Sequence, residues 1–523
     1  MPGNDPVPGN SNKRWSNDPR YAYPNGDPGG SGENPAWDRV AQMQWNELPE
    51  GYCRNYAGAN AQTCPARFPS PDAKEGPRGR DYYGGDLPGI TKKLDYLQQL
   101  GVTAIYLNPI FASSSNHGYD TRDYMKLNPY FGTLTQFHDL VDAAKQRGIR
   151  IILDGVFNHM SSDSLFFDRY HHFSQTGACE SASSQWRLWF SFHNNHVPCG
   201  SSDYDGWFGF DSLPVLSKSR ADVQSYFVNV AKYWLQQGAS GWRFDVSGDP
   251  SFPAGYWEQV RQAIEQVNPD ALTISETWQK DTTLLRILRG DRLDTTMNYR
   301  LRDAVLGFLA PGPFDPKGFA DSGNTISSSQ FAARLASMQE DYAPAAYSTA
   351  MNLLDSHDTA RLLWTMTPGA DTRADKEQNA ANLAAGKQRL RLASFIQFAL
   401  PGAPTVYYGD EVGLTGGDDP DNRRTYPWAD QGGSPDSGQL DWYKSLSALR
   451  RSVPALTAGD FRVLLTDDSA GTVAFGRKTP NQAAIVAVNR TGAAQTVDVP
   501  VAGYVPNGTA STVPPRTTST RAR

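Results

Sequence analysis

The sequence has neither an excess of positive charge nor a long hydrophobic run. Its 523 residues include 49 Lys and Arg against 55 Asp and Glu, for a formal net charge of -6. This balance argues against a nucleic-acid-binding protein held by phosphate contacts. No apolar run approaches the roughly 18 residues that span a bilayer, so we expect no membrane partner either. The sequence carries no signal for the oligomeric state.

Cysteine is also scarce. Four cysteines are present, and none forms the C-x-x-C pair of zinc ribbons or thioredoxin-like motifs. We favour two local disulfides, Cys53–Cys64 and Cys179–Cys199, over four free thiols in a cytosolic protein. Oxidised pairs predict an extracellular or cell-envelope location. Residues 1–4, however, do not open the apolar segment of a signal peptide.

Aromatic residues, glycine and proline are plentiful. Aromatics make up 11% of the chain, with 13 Trp and 24 Tyr, beside 47 Gly and 36 Pro. In an acidic chain this composition suits a loop-rich enzyme whose groove stacks against its substrate. At about 150 residues per domain, the length allows three or four structural units.

Helical and strand patterns alternate along the middle of the chain. A helical pattern over 89–100 is followed by Gly101 and a buried strand pattern over 102–107. The alternation recurs at 135–147 with 149–156, 221–237 with 241–246, and 256–267 with 271–275, before strand patterns at 295–299, 347–354 and 404–408. Repeated alternation of this kind predicts an α/β fold, and seven such strands favour a (β/α)8 TIM barrel over an open sheet.

Two stretches depart from this alternation. A polar, aromatic segment interrupts the barrel after its third strand and reads as an inserted subdomain. Near the C-terminus apolar residues recur at every second position, which gives strand patterns at 461–465, 472–475, 483–488 and 496–501. The predicted parts are an irregular N-terminal segment at 1–82, a catalytic barrel at 83–159 and 219–455, the inserted subdomain at 160–218, an antiparallel β domain at 456–504 and a disordered tail at 505–523.

Polar side chains follow five of the predicted barrel strands, where such barrels carry their chemistry. They are His117 and Tyr119, Asp154 and His159, Arg243 and Asp245, Glu276, and His357 with Asp358. A polar residue at one such strand end is ordinarily a helix cap or a surface charge. Acidic residues at five strand ends of one chain instead favour a catalytic site. Three carboxylates at a barrel mouth suit glycosidic cleavage, in which one attacks the anomeric carbon and a protonated one supplies the leaving oxygen with its proton. Arg243, two residues before Asp245 on one strand face, is expected to keep that carboxylate ionised.

These motifs resemble those of the α-amylase superfamily, glycoside hydrolase family 13. The matching segments are Asp154–His159, Gly241–Val246, Ser275–Trp278 and Ser356–Thr359, in the family order. The resemblance implies a retaining mechanism with Asp245 as nucleophile, Glu276 as acid/base and Asp358 as stabiliser of the transition state. It also implies an α-glucan substrate, and substrate contacts from His117, Tyr119, Asp154, His159, Arg243, Trp278 and His357.

A narrower likeness is to the neopullulanase, cyclomaltodextrinase and amylopullulanase branch. It rests on the segments 83–87, 93–97 and 106–111 and on the serine that precedes His357. By the same likeness, Asp419 and Arg423 would hold a second donor sugar, with a surface ion pair as the alternative.

The sequence also departs from that branch. Ser247-Gly248-Asp249 stands where the branch usually has Ala-Asn/Asp-Glu, so Gly248 lacks a side chain that lines the acceptor side. The usual first barrel strand is not visible, so we expect either that an unexpected segment forms it or that it lies before Met1.

Calcium is the cofactor that the resemblance implies, because irregular loops with oxygen ligands suit this ion. The candidate ligands are Asn4, Asp5, Gly84 and Asp86, then Asn25 and Asp27, then Asn158. The alternative is that these residues form ordinary turns.

The leading hypothesis is therefore a hydrolase of α-1,4 bonds in starch, pullulan or maltooligosaccharides, with α-1,6 bonds left open. One alternative is a transglycosylase or isomerase that uses the same residues. Another is a non-catalytic, amylase-like binding protein, against which the presence of all three carboxylates argues.

Overall fold

The computed structural model describes residues 85–113, 115–278, 282–318, 322–419 and 421–506. Several predictions lie outside these residues, namely the 1–82 segment, the Cys53–Cys64 bridge, the tail beyond 506, and Asn4, Asp5, Asn25, Asp27 and Gly84. The described residues form two compact units. The first contains those up to Thr277 together with Asp291–Asp294, and the second contains the rest.

The first unit is built on parallel strands in the order β1–β4–β5–β6. They are β1 (Ala104–Tyr106), β4 (Arg150–Gly155), β5 (Gly241–Phe244) and β6 (Leu272–Ser275). Apolar runs such as Ile151 to Leu153 are buried, as expected of a parallel sheet covered on both faces. All four strands were predicted. An antiparallel pair, β2 (Phe111–Ser113) and β3 (Thr121–Leu127), follows β1.

Helices precede these strands as the alternation predicts. Their bounds are Leu87–Lys92, Leu94–Leu100, Leu134–Gln146, Ala221–Gln236 and Tyr256–Val267. The predicted helix over 89–100 is two helices that meet at Lys93, and Gly101 ends the second with a φ of 96°. The helix Leu134–Gln146 begins with a capping box formed by Thr133 and Gln136.

The inserted segment at 160–218 contains no extended strand pair. It has short 3₁₀ helices at Arg187–Trp189 and Trp207–Gly209, with isolated bridges such as Phe192 to Tyr204. Packed aromatic rings fill its interior, for example Phe167 against Phe190 with centroids 4.8 Å apart. A buried disulfide joins Cys179 to Cys199, the second of the two predicted pairs.

The second unit contains β7 (Thr295–Thr296), β8 (Met351–Asn352) and β9 (Ala403–Pro404). β8 and β9 pair in parallel, and Met297 bridges Met351 in parallel. The helices are Thr282–Ile287, Tyr299–Leu309, Ser328–Asp341, Pro344–Thr349, Leu362–Met366, Ala380–Ala399, Ser437–Ser452 and Pro454–Ala458, with a π-helical turn at Ala374–Gln378. None of the helices in the described part of the chain combines the length and hydrophobicity needed to cross a bilayer.

Three of the later strand predictions are wrong in extent. The strand predicted over 404–408 is only the two-residue β9 at Ala403–Pro404. The pattern over 347–354 contains the end of the helix Pro344–Thr349, because Pro344 occupies its first turn and alanines, strong helix formers, follow. The strand predicted over 295–299 ends at Thr296, since the Asn298 side chain accepts the backbone N–H of Leu301 and caps the next helix.

The C-terminal part forms the predicted antiparallel sheet with three strands. They are β10 (Arg462–Asp467), β11 (Thr472–Lys478) and β12 (Ala483–Asn489), paired in that order. The fourth predicted strand, over 496–501, is absent. None of its residues is buried, and it contains Pro500, which lacks the N–H that a sheet ladder needs.

Candidate active site

A buried arginine gathers three carboxyl groups in the first unit. Arg243 lies on β5 with no exposed surface, and one nitrogen, Nη1, lies 3.1 and 3.0 Å from the two Asp154 oxygens. The same nitrogen lies 2.9 Å from Asp245 Oδ1, and Nη2 lies 2.9 Å from Glu276 Oε1. These carboxyls come from the ends of three neighbouring parallel strands, which explains why they meet.

The charges in this cluster do not balance. Burial raises the pKa of the Asp154 carboxyl to about 6, although Arg243 opposes it. Burial and then the Glu276 carboxyl raise the pKa of Asp245, again against Arg243. The expectation that Arg243 simply keeps Asp245 ionised therefore needs correcting, because one cation faces three buried carboxyls. Such a cluster holds a proton more readily than isolated carboxyls do.

Two tyrosine hydroxyls complete the surroundings of Asp154. Tyr106 and Tyr119 donate to Asp154 Oδ2 over 2.5 and 3.0 Å. Tyr119 was predicted as a stacking face, and its ring does stack on His117 with centroids 6.1 Å apart. Tyr106 was missed as a site residue, although its place at the last position of β1 was a usable signal.

The Glu276 carboxyl is held by strained backbone as well as by Arg243. The Val246 N–H donates to Glu276 Oε2 over 2.8 Å. Val246 has a φ of 38°, a left-handed conformation that β-branched residues rarely adopt. Strain of this kind persists only where the surrounding structure enforces it, and it clusters at functional sites. Nothing in the sequence pattern indicated it.

Three hydroxyls form a chain behind Glu276. Ser247 Oγ lies 2.7 Å from Ser275 Oγ, which lies 2.7 Å from Thr277 Oγ1. The backbone N–H of Glu276 donates to Ser247 Oγ over 3.1 Å. A Cβ on Gly248 would lie 3.0 Å from Thr277 Oγ1, so Thr277 takes up room beside the position where the branch carries a side chain.

Both predicted histidines of the first unit lie close to this cluster. His117 Nδ1 accepts the backbone N–H of Tyr119 over 3.1 Å. His159 is buried and its ring stacks on Trp207 with centroids 5.1 Å apart. Burial, and then the Lys218 charge, lower the pKa of His159 to about 3, so its ring is neutral near pH 7. A neutral ring suits hydrogen bonding to a sugar hydroxyl.

The second unit holds the remaining predicted residues. His357 Nε2 lies 3.1 Å from Asp358 Oδ2, and the Asp358 side chain is 32% exposed. The Asn422 amide donates to the carbonyls of Ser356, His357 and Thr359 and so fixes this loop. Trp278 stacks on Tyr299 with centroids 3.7 Å apart.

Asp419 and Arg423 pair with each other in the second unit. Their side chains meet at 2.6 Å, with 53% of Asp419 and 21% of Arg423 exposed. This geometry agrees with the alternative of a surface ion pair. It leaves the carboxylate accessible to a ligand, so the predicted contact with a second donor sugar stays a prediction.

Two of the calcium candidates, Asp86 and Asn158, lie within the described residues. Asp86 is buried, and its Oδ1 accepts the backbone N–H of Gly89 as a helix cap. The side-chain and backbone oxygens of Asn158 accept hydrogen bonds from the Lys218 ammonium, at 2.5 and 3.3 Å. The Asn158 oxygens therefore already hold a cation. The described residues contain no cluster of three His, Cys, Asp or Glu arranged for a metal ion.

Comparison with known proteins places these residues in a family. Residues 52–447 match the family described as "Alpha amylase, catalytic domain". An amylopullulanase of Thermoanaerobacterium saccharolyticum is 38% identical over 498 residues, 89% of this chain and 36% of that protein. A cyclomaltodextrinase of Geobacillus thermopakistaniensis is 32% identical, covering 89% of this chain and 71% of that protein. The type III pullulan hydrolase from Thermococcus kodakarensis gives a TM-score of 0.67 at 33% identity, covering 79% of this chain and 67% of that one.

The chain corresponds to only a part of its larger relatives. It spans between 25% and 36% of the length of three amylopullulanases. The structural likeness confirms the predicted (β/α)8 fold class, and the matched range contains every candidate site residue from Asp86 to Arg423. The chain belongs to the α-amylase catalytic-domain family, glycoside hydrolase family 13.

Proposed function

We propose that this chain is a retaining α-glucan hydrolase that cleaves α-1,4-glucosidic bonds in starch, pullulan or maltooligosaccharides. The observation that carries this proposal is the buried contact of one guanidinium, Arg243, with both the Asp245 and Glu276 carboxyls. Two carboxyls gathered on one planar group suit the short spacing of retaining glycosidases, about 5 Å. The names of the relatives, amylopullulanase and cyclomaltodextrinase among them, point to the same substrate class.

In the proposed reaction the two carboxyls act in turn. Asp245 Oδ attacks the anomeric carbon as the bond to the leaving oxygen breaks, and Glu276 gives that oxygen its proton. Glu276 then takes a proton from water, the water oxygen bonds to the anomeric carbon, and the bond to Asp245 breaks.

Two variants test the assignment. Asp245→Ala and Glu276→Gln should each lower reducing-sugar release from starch and pullulan by at least about a hundredfold, since each removes an essential group. Asp270→Asn, an exposed aspartate of the same unit, is the control and should leave the rate unchanged. Activity that survives either active-site change would disprove the mechanism.

The bond preference is a second part of the proposal. Pullulan contains both α-1,4 and α-1,6 bonds, and its products panose, isopanose and maltotriose each report a different choice of bond. We propose that the chain cleaves α-1,4 bonds. The names of the pullulan-acting relatives support additional cleavage of α-1,6 bonds. Products of maltotriose separate hydrolysis, which gives glucose and maltose, from transglycosylation, which gives new linkages.

We also propose an extracellular or cell-envelope location. The buried Cys179–Cys199 disulfide supports it, because such bonds persist in oxidising compartments. Mass mapping of the native protein without reductant tests the bridge, and free thiols at both positions in protein from its natural source would contradict the location.

Calcium binding stays a proposal supported by the family resemblance and by the buried carboxylate of Asp86. Dialysis against a chelator should lower the melting temperature, and added Ca²⁺ should restore it. An unchanged melting temperature would exclude a stabilising calcium ion.

A further inference from the structure

Two buried carboxyl groups of the second unit take no direct part in the proposed reaction. Asp355 follows β8 and Asp410 follows β9, and these two strands pair in parallel. The strand ends therefore bring the two aspartates together, and their side chains lie within hydrogen-bonding reach of each other. Asp355 is 3% exposed and Asp410 is 2% exposed, so water does not screen one carboxyl from the other.

The hydrogen bonds of this pair are incomplete unless it carries a proton. Among the described residues, no donor bonds to Asp355 Oδ1 or to Asp410 Oδ1, although both oxygens are buried. Arg361 Nη1 lies 3.6 Å from Asp410 Oδ1, beyond hydrogen-bond distance, and donates instead to the Tyr408 carbonyl over 2.7 Å. A buried acceptor without a donor is costly, and one proton held between the carboxyls gives each residue a hydrogen bond.

The charges that face the pair favour the same proton. Burial, and then the Asp355 charge, raise the pKa of Asp410 well above its ordinary range. Burial also raises the pKa of Asp355, which a hydrogen bond from Asp410 opposes. Asp410 is therefore the acid that donates, and Asp355 is the carboxylate that accepts. Other charged or titratable groups that face the pair are Arg302, Arg361, Tyr407, Glu411 and Tyr443.

Asp355 closes the base of the loop that carries Asp358. Its Oδ2 accepts the backbone N–H of Leu362 over 2.7 Å, so the chain between these two residues is closed into a loop. Within that loop the Asp358 N–H donates to Ser356 Oγ over 3.1 Å. Because the loop is short and internally bonded, a shift of Asp355 is passed on to Asp358.

We propose that Asp355 and Asp410 share one proton and act as positioning residues for Asp358, the predicted stabiliser of the transition state. Two ionised carboxylates in this buried place would repel each other and displace Asp355 from the base of the loop. This inference rests on the proposed function, because it assigns the pair to the reaction in which Asp358 takes part. It adds two residues that act through Asp358 and not on the substrate.

The shared proton predicts how the stability of the protein depends on pH. A carboxyl whose pKa is raised by folding stabilises the folded state at low pH, and this contribution is lost as the pH rises through the raised pKa. The melting temperature of the wild type should therefore fall between about pH 6 and about pH 9. In Asp410→Asn an amide donates to Asp355 at every pH, so the fall should be smaller.

The kinetics of two variants test the positioning role. Asp410→Ala leaves the Asp355 oxygen without a donor and should lower kcat on maltotriose about tenfold to a hundredfold, with KM changed less than about threefold. Asp410→Asn restores a neutral donor and should recover kcat to within about threefold of the wild type.

Two other aspartates of the second unit supply the controls. Asp421 is also buried, but its two oxygens accept Arg424 Nε and Nη2, each over 2.6 Å. Its carboxylate needs its charge, so Asp421→Asn should lower the melting temperature by the same amount at both pH values. Asp441 is exposed, and Asp441→Asn should match the wild type in kcat and melting temperature.

The outcomes separate this inference from the proposed function. If Asp410→Asn loses as much kcat as Asp410→Ala, the loop needs a negative charge at Asp410 and the shared proton is wrong. An equal fall of the melting temperature with pH in wild type and Asp410→Asn would also overturn it, and this comparison decides even if Asp410→Ala does not fold. Wild-type kcat in Asp410→Ala would refute the positioning role. If the wild type releases no sugar, the proposed function fails, and the melting curves, which need no substrate, still decide whether the proton is shared.

Discussion

At the scale of single residues, Arg243 determines the chemistry of the first unit. Its guanidinium is fully buried and contacts Asp154, Asp245 and Glu276. A planar group with five donors can serve three carboxyls at once, which a lysine ammonium cannot do with the same geometry. The arginine therefore offsets the desolvation of these carboxyls and orients them together.

The pH dependence of the reaction should report this cluster. Because burial raises the pKa of Asp154 to about 6 and also raises that of Asp245, kcat/KM should fall as the pH drops through about 6. Arg243 opposes both increases, so Arg243→Lys should move this acid limb to higher pH by about 1 unit. A pH–rate profile on maltotriose measures the shift.

Arg220 provides a control for that profile. It lies at the surface and pairs with Asp222 at 2.8 Å, outside the cluster. Arg220→Lys should leave the acid limb in place. A wild-type limb near pH 4, the ordinary range of a carboxyl, would contradict the raised pKa values.

Gly248 and Thr277 should behave as a coupled pair. A Cβ at Gly248 would lie 3.0 and 3.1 Å from Thr277 side-chain atoms, closer than ordinary van der Waals contact. Gly248→Ala should therefore destabilise the protein by about 1–3 kcal/mol through overpacking. Removing the Thr277 side chain in a Thr277→Ala background should recover at least about 1 kcal/mol of this loss.

A double-mutant cycle of unfolding free energies measures this coupling. Gly312→Ala is the control, because no other atom lies within 4 Å of the added Cβ, and it should change stability by less than about 0.5 kcal/mol. Strict additivity of Gly248→Ala and Thr277→Ala would show that the two side chains do not compete for one space.

At the scale of elements, the inserted subdomain depends on its disulfide. It has no extended strand pair to order its chain, and Cys179 and Cys199 close a loop with a sequence separation of 20. Replacing both cysteines by alanine should lower the free energy of unfolding by about 3 kcal/mol, the usual effect for a loop of this size. A thermal melt compares the variant with wild type.

The other two cysteines supply the matched control. A Cys53→Ala, Cys64→Ala variant leaves the subdomain bridge intact and should keep the melting temperature of the inserted subdomain. A wild-type melting temperature in the Cys179→Ala, Cys199→Ala variant would contradict a stabilising role for the bridge.

The elements show which parts of the fold the sequence could predict. Strands such as β4 were predictable, because a buried parallel strand is a continuous apolar run between loops. The same rule failed at 347–354, where the end of the helix Pro344–Thr349 precedes the short strand β8. It failed again at 496–501, where alternation was present but no strand paired with it.

The candidate site also has some features that the sequence could predict and others that it could not. The carboxyls were predictable because they follow apolar runs, and strand ends meet in a parallel sheet. The Tyr106 hydroxyl, the left-handed Val246 and the Thr277 contact depend on distances between strands, and a one-dimensional pattern does not contain these distances.

At the scale of the whole molecule, the C-terminal sheet is fastened by a buried arginine of the second unit. Arg477 on β11 donates to the carbonyls of Asp460, Ala399 and Gly459, at 2.7, 2.8 and 2.9 Å. The Ala399 carbonyl belongs to the end of the long helix Ala380–Ala399. One side chain thus ties the sheet to a helix that lies about 80 positions earlier in the sequence.

Removing that side chain should loosen the sheet. Arg477→Met keeps an unbranched apolar stem but leaves three carbonyls without this donor, two of them partly shielded from water, so we expect a loss of about 3 kcal/mol. The melting temperature should fall, and limited proteolysis should cut earlier between the helix Pro454–Ala458 and β12. Arg462→Met, at an exposed position of β10, is the control and should change stability by less than about 0.5 kcal/mol. If Arg477→Met melts and resists protease as wild type does, the sheet is held by its apolar contacts instead, and Phe475, buried on β11, becomes the side chain that fastens it.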